Sequence, residues 1–157
     1  MRKITLLLLF VLGLGVAYAQ DSEITDQDLK NYAIMEMAVQ SITSQISPMV
    51  SQMIDDQNAK IQNPDDKITN ERWSQLSGTG GDESKLQAVN AKDWEIAFLK
   101  VVNKQIDKKK DAAGDILKTM ASQAIGVSTY KAIKSGLSSD TQLQSRYDQI
   151  KSSCDWQ

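Results

Sequence analysis

The side chains that most often do chemistry are scarce in this chain, and one is missing altogether: there is no histidine. Nothing here titrates near neutral pH without a large environmental shift, and the commonest general base and transition-metal ligand are both absent. Acid–base work would fall to carboxylates, and any pair flanking a scissile bond would have to come from distant positions. One cysteine is present, Cys154, close to the C-terminus. It lacks the imidazole that a thiol nucleophile uses as its base. A single cysteine cannot close an internal disulfide, so Cys154 reads as a free thiol on the tail or as one half of an intermolecular bond in a homodimer.

Oxygen ligands are better supplied. Asp55-Asp56 and Asp65-Asp66, with Asn58 and Asn63 between them, gather the hard oxygens that calcium prefers. The Asp-x-Asp-x-Asp-Gly spacing with a downstream Glu is absent, so helix-end and turn chemistry is the expected role. Gly78-Thr79-Gly80-Gly81-Asp82 lacks the Gly-Lys-Ser/Thr of a phosphate-cradling loop and follows no strand. It reads as a helix-to-helix connection. Lys100, Lys104 and Lys108 recur every fourth residue beside Asp107, Asp111 and Asp115. On a helix these make adjacent charged ridges, read as a solvated face with weak ion pairs rather than as a docking strip. No catalytic, cofactor-binding or metal-binding residue is therefore expected. The candidate contact residues are Met37, which lies off its helix's apolar seam, and Trp73 and Trp94, which could flank a pocket.

Helices must position these residues. Thr25 with Asp28 makes a capping box, and Ile24 can staple onto Leu29. Tyr32, Met35, Val39, Ile42, Ile46, Met49 and Met53 then recur at alternating spacings of three and four, predicting a long amphipathic helix to about Ala59. Pro48 should kink this helix or restart it with Ser47 as the cap. A turn at Asn63–Asp66 leads to a short helix carrying Ile68, Trp73 and Leu76. A second long helix, opening at Ser84 or Asn90, carries Trp94, Phe98, Val102 and Ile106, then Ala113, Leu117, Met120 and Ala124. Gly114 invites a break in it. Gly126 should end it, with Val127 and Ser128 as staple and cap of the next helix. Gly136 closes that helix, and Ser139 or Asp140 caps a last one with Leu143, Tyr147 and Ile150. The expected fold is all-α: two long antiparallel amphipathic helices packed with about three shorter ones as a helical bundle.

Residues 1–19 have the layout of a secretory signal peptide: Arg2 and Lys3, an apolar run from Ile4 to Val16, then the cleavage motif Ala17-Tyr18-Ala19. Residues 20–157 should form a single all-helical domain with a short C-terminal tail, periplasmic or extracellular. No stable membrane anchor would survive removal of the leader. That removal takes two cations and no acid, changing the net charge from −2 to −4. An acidic chain offers no electrostatic footprint for nucleic acid.

The order of short motifs resembles an uncharacterised family of exported, all-helical bacterial domains of unknown function. It runs from Ile24-Thr25-Asp26-Gln27-Asp28-Leu29 through Arg72-Trp73-x-x-Leu76 and Gly81-Asp82-Glu83-Ser84-Lys85-Leu86. It closes on Gly126-Val127-Ser128-x-Tyr130-x-x-Ile133 and Ser139-Asp140-x-x-Leu143-x-x-Arg146-Tyr147. The charge and leader pattern is similar to that of Gram-negative envelope proteins. The resemblance implies a fold and a compartment but no activity. The expected function is a non-enzymatic protein-interaction module of the bacterial cell envelope with a protein partner. The alternatives are a holdase-like periplasmic chaperone, and a small-ligand binder or carboxylate-dependent enzyme with a pocket near Trp73 and Trp94.

Overall fold

The computed structural model describes residues 23–154, so the leader and cleavage site expected over 1–19 lie outside the described residues. In chain order the elements are α1 (Asp26–Thr43), α2 (Ile46–Asn58), a 3-10 turn (Pro64–Asp66), α3 (Asn70–Gly78) and α4 (Glu83–Ala88). They continue with α5 (Asp93–Thr119), a π-helical turn (Met120–Ile125), α6 (Val127–Gly136) and α7 (Thr141–Ser153). No strand occurs among the described residues. Two long arms, α1 with α2 and α5 with the π turn, span 33 residues each.

The capping box starts the first arm. The Thr25 hydroxyl accepts from the Asp28 N–H at 3.1 Å, and the Asp28 carboxylate accepts from the Thr25 N–H at 3.0 Å. The arm breaks at Ser44-Gln45, before Pro48. A proline cannot donate to the carbonyl four residues back, and its ring collides with that carbonyl; here that residue is Ser44. The restart is therefore set by the blocked carbonyl, and the N-cap is Gln45 with no side-chain bond, not Ser47. Pro48 sits in the first turn of α2, where its missing N–H costs nothing.

The arms run antiparallel. Asn31 Nδ2 donates to the Ala124 carbonyl at 2.9 Å, Lys109 Nζ donates to Gln45 Oε1 at 2.7 Å, and Met53 lines one groove with Phe98 and Val101. One apolar cluster joins the arms and a second packs α3 and α4 on α5. In one, Leu29, Tyr32, Ala33 and Met35 of α1 meet Ile125, Ile133, Leu143 and Tyr147. In the other, Leu99 of α5 packs on Leu76 and Leu86, with Trp73 alongside. Leu29 and Leu99 are at most 1% exposed, and truncating either to Ala should cost about 2–5 kcal/mol.

The second arm departs from the sequence reading in four places. Ser84 lies inside the separate short helix α4, which Asp82 caps by accepting from the Lys85 N–H at 3.0 Å. Asn90 does not open α5 but stops α4. Its φ of +48° is left-handed, its N–H bonds Gln87 O, and the Ala91 N–H bonds Leu86 O, both at 2.9 Å. That is a Schellman ending with asparagine in the usual glycine place. Helix α5 then begins at Asp93 and runs unbroken through Gly114. The irregularity falls almost two turns later, where the π turn inserts one residue into the repeat and rotates the buried face. The buried residues become Ala121 and Ile125 in place of the expected Met120 and Ala124. Gly126 (φ +92°) does end this arm, but it is itself the N-cap of α6. Val127 is the first helical residue, 53% exposed, so it staples nothing and Ser128 is not a cap. Asp140 caps α7 as expected, accepting from Gln142 and Leu143.

Candidate functional site

Three places gather side chains that could do something. The first is the node that ties α3, the α4–α5 turn and α5 together. Arg72 reaches from α3 to grip Glu95 with both ends of its fork, Nε to Oε1 at 2.7 Å and Nη2 to Oε2 at 2.6 Å. The same guanidinium donates to the carbonyls of Val89 (2.9 Å) and Asn90 (3.1 Å), while the Lys92 N–H caps Glu95 Oε2 at 2.8 Å. The Glu95 side chain is only 4% exposed. Burial alone would raise its carboxyl, but the Arg72 bonds and the Lys92 amide hold it below the ordinary carboxylate value. The Arg72 guanidinium is correspondingly raised by its bonds to Glu95, against a desolvation that lowers it. An ionised carboxylate saturated by fixed donors has no proton to give and little basicity to use, so this geometry is structural.

The second is an aromatic cluster between α1, α6 and α7. Tyr32 stacks at a tilt on Tyr130 (5.7 Å between centroids) and edge-on against Tyr147 (5.9 Å). The Tyr147 hydroxyl donates to Glu36 Oε2, and Lys151 Nζ reaches the same oxygen at 3.2 Å. Burial first, and then the neighbouring Glu36 carboxylate, pushes the Tyr32 hydroxyl up to about 12. The same two causes raise Tyr147 as well. Phenols held so firmly protonated anchor helices and do not transfer protons at neutral pH. A cleft of about 470 Å³ opens beside them, walled by Tyr32, Glu36, Leu117, Tyr130 and Lys134.

The third is the hairpin's own face, where only the two long arms form the walls. At the distal end, Met53 and Gln57 of α2 face Trp94, Phe98 and Val101 of α5 across a groove of about 440 Å³, with Asp56 and Lys60 at its edge. Val101 is 52% exposed. Nearer the bundle end, Met37, Ala38, Ser41 and Ile42 of α1 face Ile116 across a cleft of about 470 Å³. The bundle-end cleft is mainly aliphatic, whereas the distal groove mixes aromatic and aliphatic side chains with Asp56, Gln57 and Lys60.

No family model matches the chain, and no curated protein or solved structure matches it.

The contact candidates read from sequence are thus dispersed. Met37 is half-buried, touching the first apolar cluster and lining the bundle-end cleft. Trp94 lines the distal groove, whereas Trp73 packs into the second cluster. Phe98 separates the two tryptophans, meeting the Trp73 ring edge-on at 6.2 Å. Cys154 is a half-buried free cysteine at the C-cap of α7, where its backbone N–H donates to the Lys151 carbonyl. Four of the calcium-like residues are engaged elsewhere: Asp56 accepts from Gln52, Asn58 pairs both the N–H and the C=O of Ile68, Asn63 caps the 3-10 turn, and Asp66 binds Lys92. Among the described residues no three His, Cys, Asp or Glu gather. The ion pairs there are Arg72–Glu95, Lys92–Asp66, Arg146–Asp26 and Lys151–Glu36, so the Lys100–Lys104–Lys108 ridge holds none of them. Glu36, Tyr130 and Tyr147 escape the sequence reading as a site. They lie on three helices, and only the i, i+4 pairing of Tyr32 with Glu36 and of Tyr147 with Lys151 marks them locally.

Proposed function

We propose that this chain is a non-enzymatic protein-interaction module of the bacterial cell envelope, delivered there by residues 1–19. The observation that carries the reading is the hairpin face. Aromatic and aliphatic side chains from Met37 to Trp94 lie in clefts walled mainly by α1, α2 and α5. Helical hairpins that keep one apolar face open bury it against a partner helix, because leaving it in water forfeits the hydrophobic free energy. The leader sequence and the resemblance to exported domains support the compartment.

The experiment is a photo-crosslinking residue at Val101 in the chain expressed with its own leader, irradiated in the native bacterium and followed by mass spectrometry. One reproducible partner supports the module. A broad set of unfolded envelope proteins would instead make the chain a holdase-like chaperone. Crosslinks that do not exceed those from a control position at Ser152, on the surface of α7, would overturn both.

A further inference from the structure

We propose that residues 69–91, which carry α3 and α4, form a lid on the distal end of α5 that opens as a unit while both arms stay folded. The Arg72–Glu95 pair is its latch. The two ends of the lid meet at one neck. On the entry side Asn58, the last residue of α2, fixes the backbone of Ile68 through bonds of 2.8 and 2.9 Å. On the exit side Lys92 pairs with Asp66 across the neck. The segment between these points can therefore open without moving α2 or α5.

Within itself the lid is well tied. The Thr79 hydroxyl donates to the Leu76 carbonyl at 2.7 Å and accepts from the Gly81 N–H at 3.1 Å, which fixes the α3–α4 turn. Arg72 donates to the Val89 and Asn90 carbonyls, joining the start of α3 to the end of α4. Outward it is held by little. Among the described residues, the two Arg72–Glu95 bonds are the only hydrogen bonds from the lid to α5. Leu76 and Leu86 close over Leu99, and that cluster shares no residue with the larger one at α1, α6 and α7. Nor is the contact filled. A cavity of about 230 Å³, lined by Gly81, Leu86, Ala91, Ile96 and Lys100, lies between lid and helix. Side chains that face such a gap forfeit the dispersion contacts of a close-packed interface. Phe98 marks the border of the lid, with the Trp73 ring edge-on at 6.2 Å on one side and the distal groove on the other. Opening uncovers Leu99 and the rest of Ile96 beside it, so the groove widens into a broader apolar strip on α5.

Native-state hydrogen exchange of the purified chain at low urea concentrations, read by mass spectrometry, tests the lid. Amides 73–79 and 86–91 should share one opening constant, at least about tenfold larger than that of α1 and α7. Its urea dependence should be about a fifth of theirs, because the lid holds 23 of the 132 described residues and the slope scales with the surface exposed. Arg72→Met should raise the opening constant of the lid by about a hundredfold. Leu86→Ala, in α4, should raise it for α3 as much as for α4. Ile133→Val, in the core of the other cluster, should raise the constants of α1 and α7 by about three- to tenfold and leave those of the lid unchanged. Lid amides that follow Ile133→Val, share the urea slope of α1 or ignore Arg72→Met would overturn the lid. An effect of Leu86→Ala confined to α4 would overturn it too, since the two helices would then fray separately.

Discussion

Replacing Arg72 should cost more stability than any other surface-reaching substitution in this chain, and the geometry says how much. Arg72→Ala removes two charge-assisted bonds to Glu95 and strands a carboxylate that is 4% exposed, keeping only the Lys92 N–H as a donor. Breaking a buried pair from one side typically costs about 3–5 kcal/mol. The Arg72 side chain is 22% exposed, so water can enter where it stood, and the lower end of that range, about 3 kcal/mol, applies. Against a total stability of about 5–15 kcal/mol this is a large share. With a urea m-value of about 1–3 kcal/mol/M, the midpoint should fall by roughly 1–3 M. Trp73 and Trp94 flank the node in sequence and report the transition by fluorescence. Glu95→Gln keeps one acceptor for the Lys92 amide and Arg72 Nη2 but loses the charge and the acceptor for Arg72 Nε, so about 1.5–3 kcal/mol is expected. The double variant Arg72→Met with Glu95→Leu should recover much of the loss, because it strands no charge. Glu95 is held below its ordinary value, so its contribution is full above about pH 4.5 and drains away as the pH falls through the folded value. Glu95→Gln should erase that acid-limb slope. A cost for Arg72→Ala under about 1 kcal/mol, or a coupling between the two sites under about 0.5 kcal/mol, would refute this account of the node.

Two glycines should respond oppositely to alanine. A Cβ at Gly114 meets nothing within 4 Å, so Gly114→Ala should raise the denaturation midpoint by an amount worth about 1 kcal/mol. At Gly136 it would stand 2.6 Å from Leu143 Cδ2, a core side chain, so Gly136→Ala should lose about 1 kcal/mol or more. Alkali should loosen the α1–α6–α7 corner before the rest. The raised Tyr32 and Tyr147 hydroxyls favour the fold fully below pH 10, and this contribution is lost as the pH climbs through their folded values. Thermal melts from pH 9 to 12 should fall more steeply for wild type than for Tyr147→Phe. At neutral pH that variant loses about 1 kcal/mol with its bond to Glu36.

The architecture was legible because the apolar repeat of each arm is long and the capping box at Thr25 and Asp28 is explicit, whereas the last cap was legible only as Ser139 or Asp140. What the repeat could not reveal is how thickly each arm is covered. Leu29, Tyr32, Ala33 and Met35 are buried, yet Ile42, Ile46, Met49 and Met53 on the same seam are only partly so. The seam is sequence-continuous, but α6 and α7 pack over the first half alone. The clefts at Met37 and Trp94 are the remainder of that mismatch, and they are why the candidate surface lies on the hairpin and not in a pocket between Trp73 and Trp94. Nor does any local pattern announce that Arg72 and Glu95 will meet, since 23 positions and a turn governed by Asn90 separate them.

The π turn is the subtlest of these departures, and it constrains the open face of the hairpin. Had α5 kept its ordinary repeat to the end, the expected positions Met120 and Ala124 would have turned inward, one residue behind those now buried. The inserted residue lets Ala121 and Ile125 enter the α1–α6–α7 core without rotating α5 upstream, and Asn31 satisfies the Ala124 carbonyl at 2.9 Å. The phase error is absorbed in one turn. Phe98 and Ile116 share an azimuth within the regular helix α5, and the π turn lets Ala121 and Ile125 reach the core without turning that face. A sequence change that restored the regular repeat at Met120–Ile125 would have to rotate either that core or that face, and the two could not both be kept.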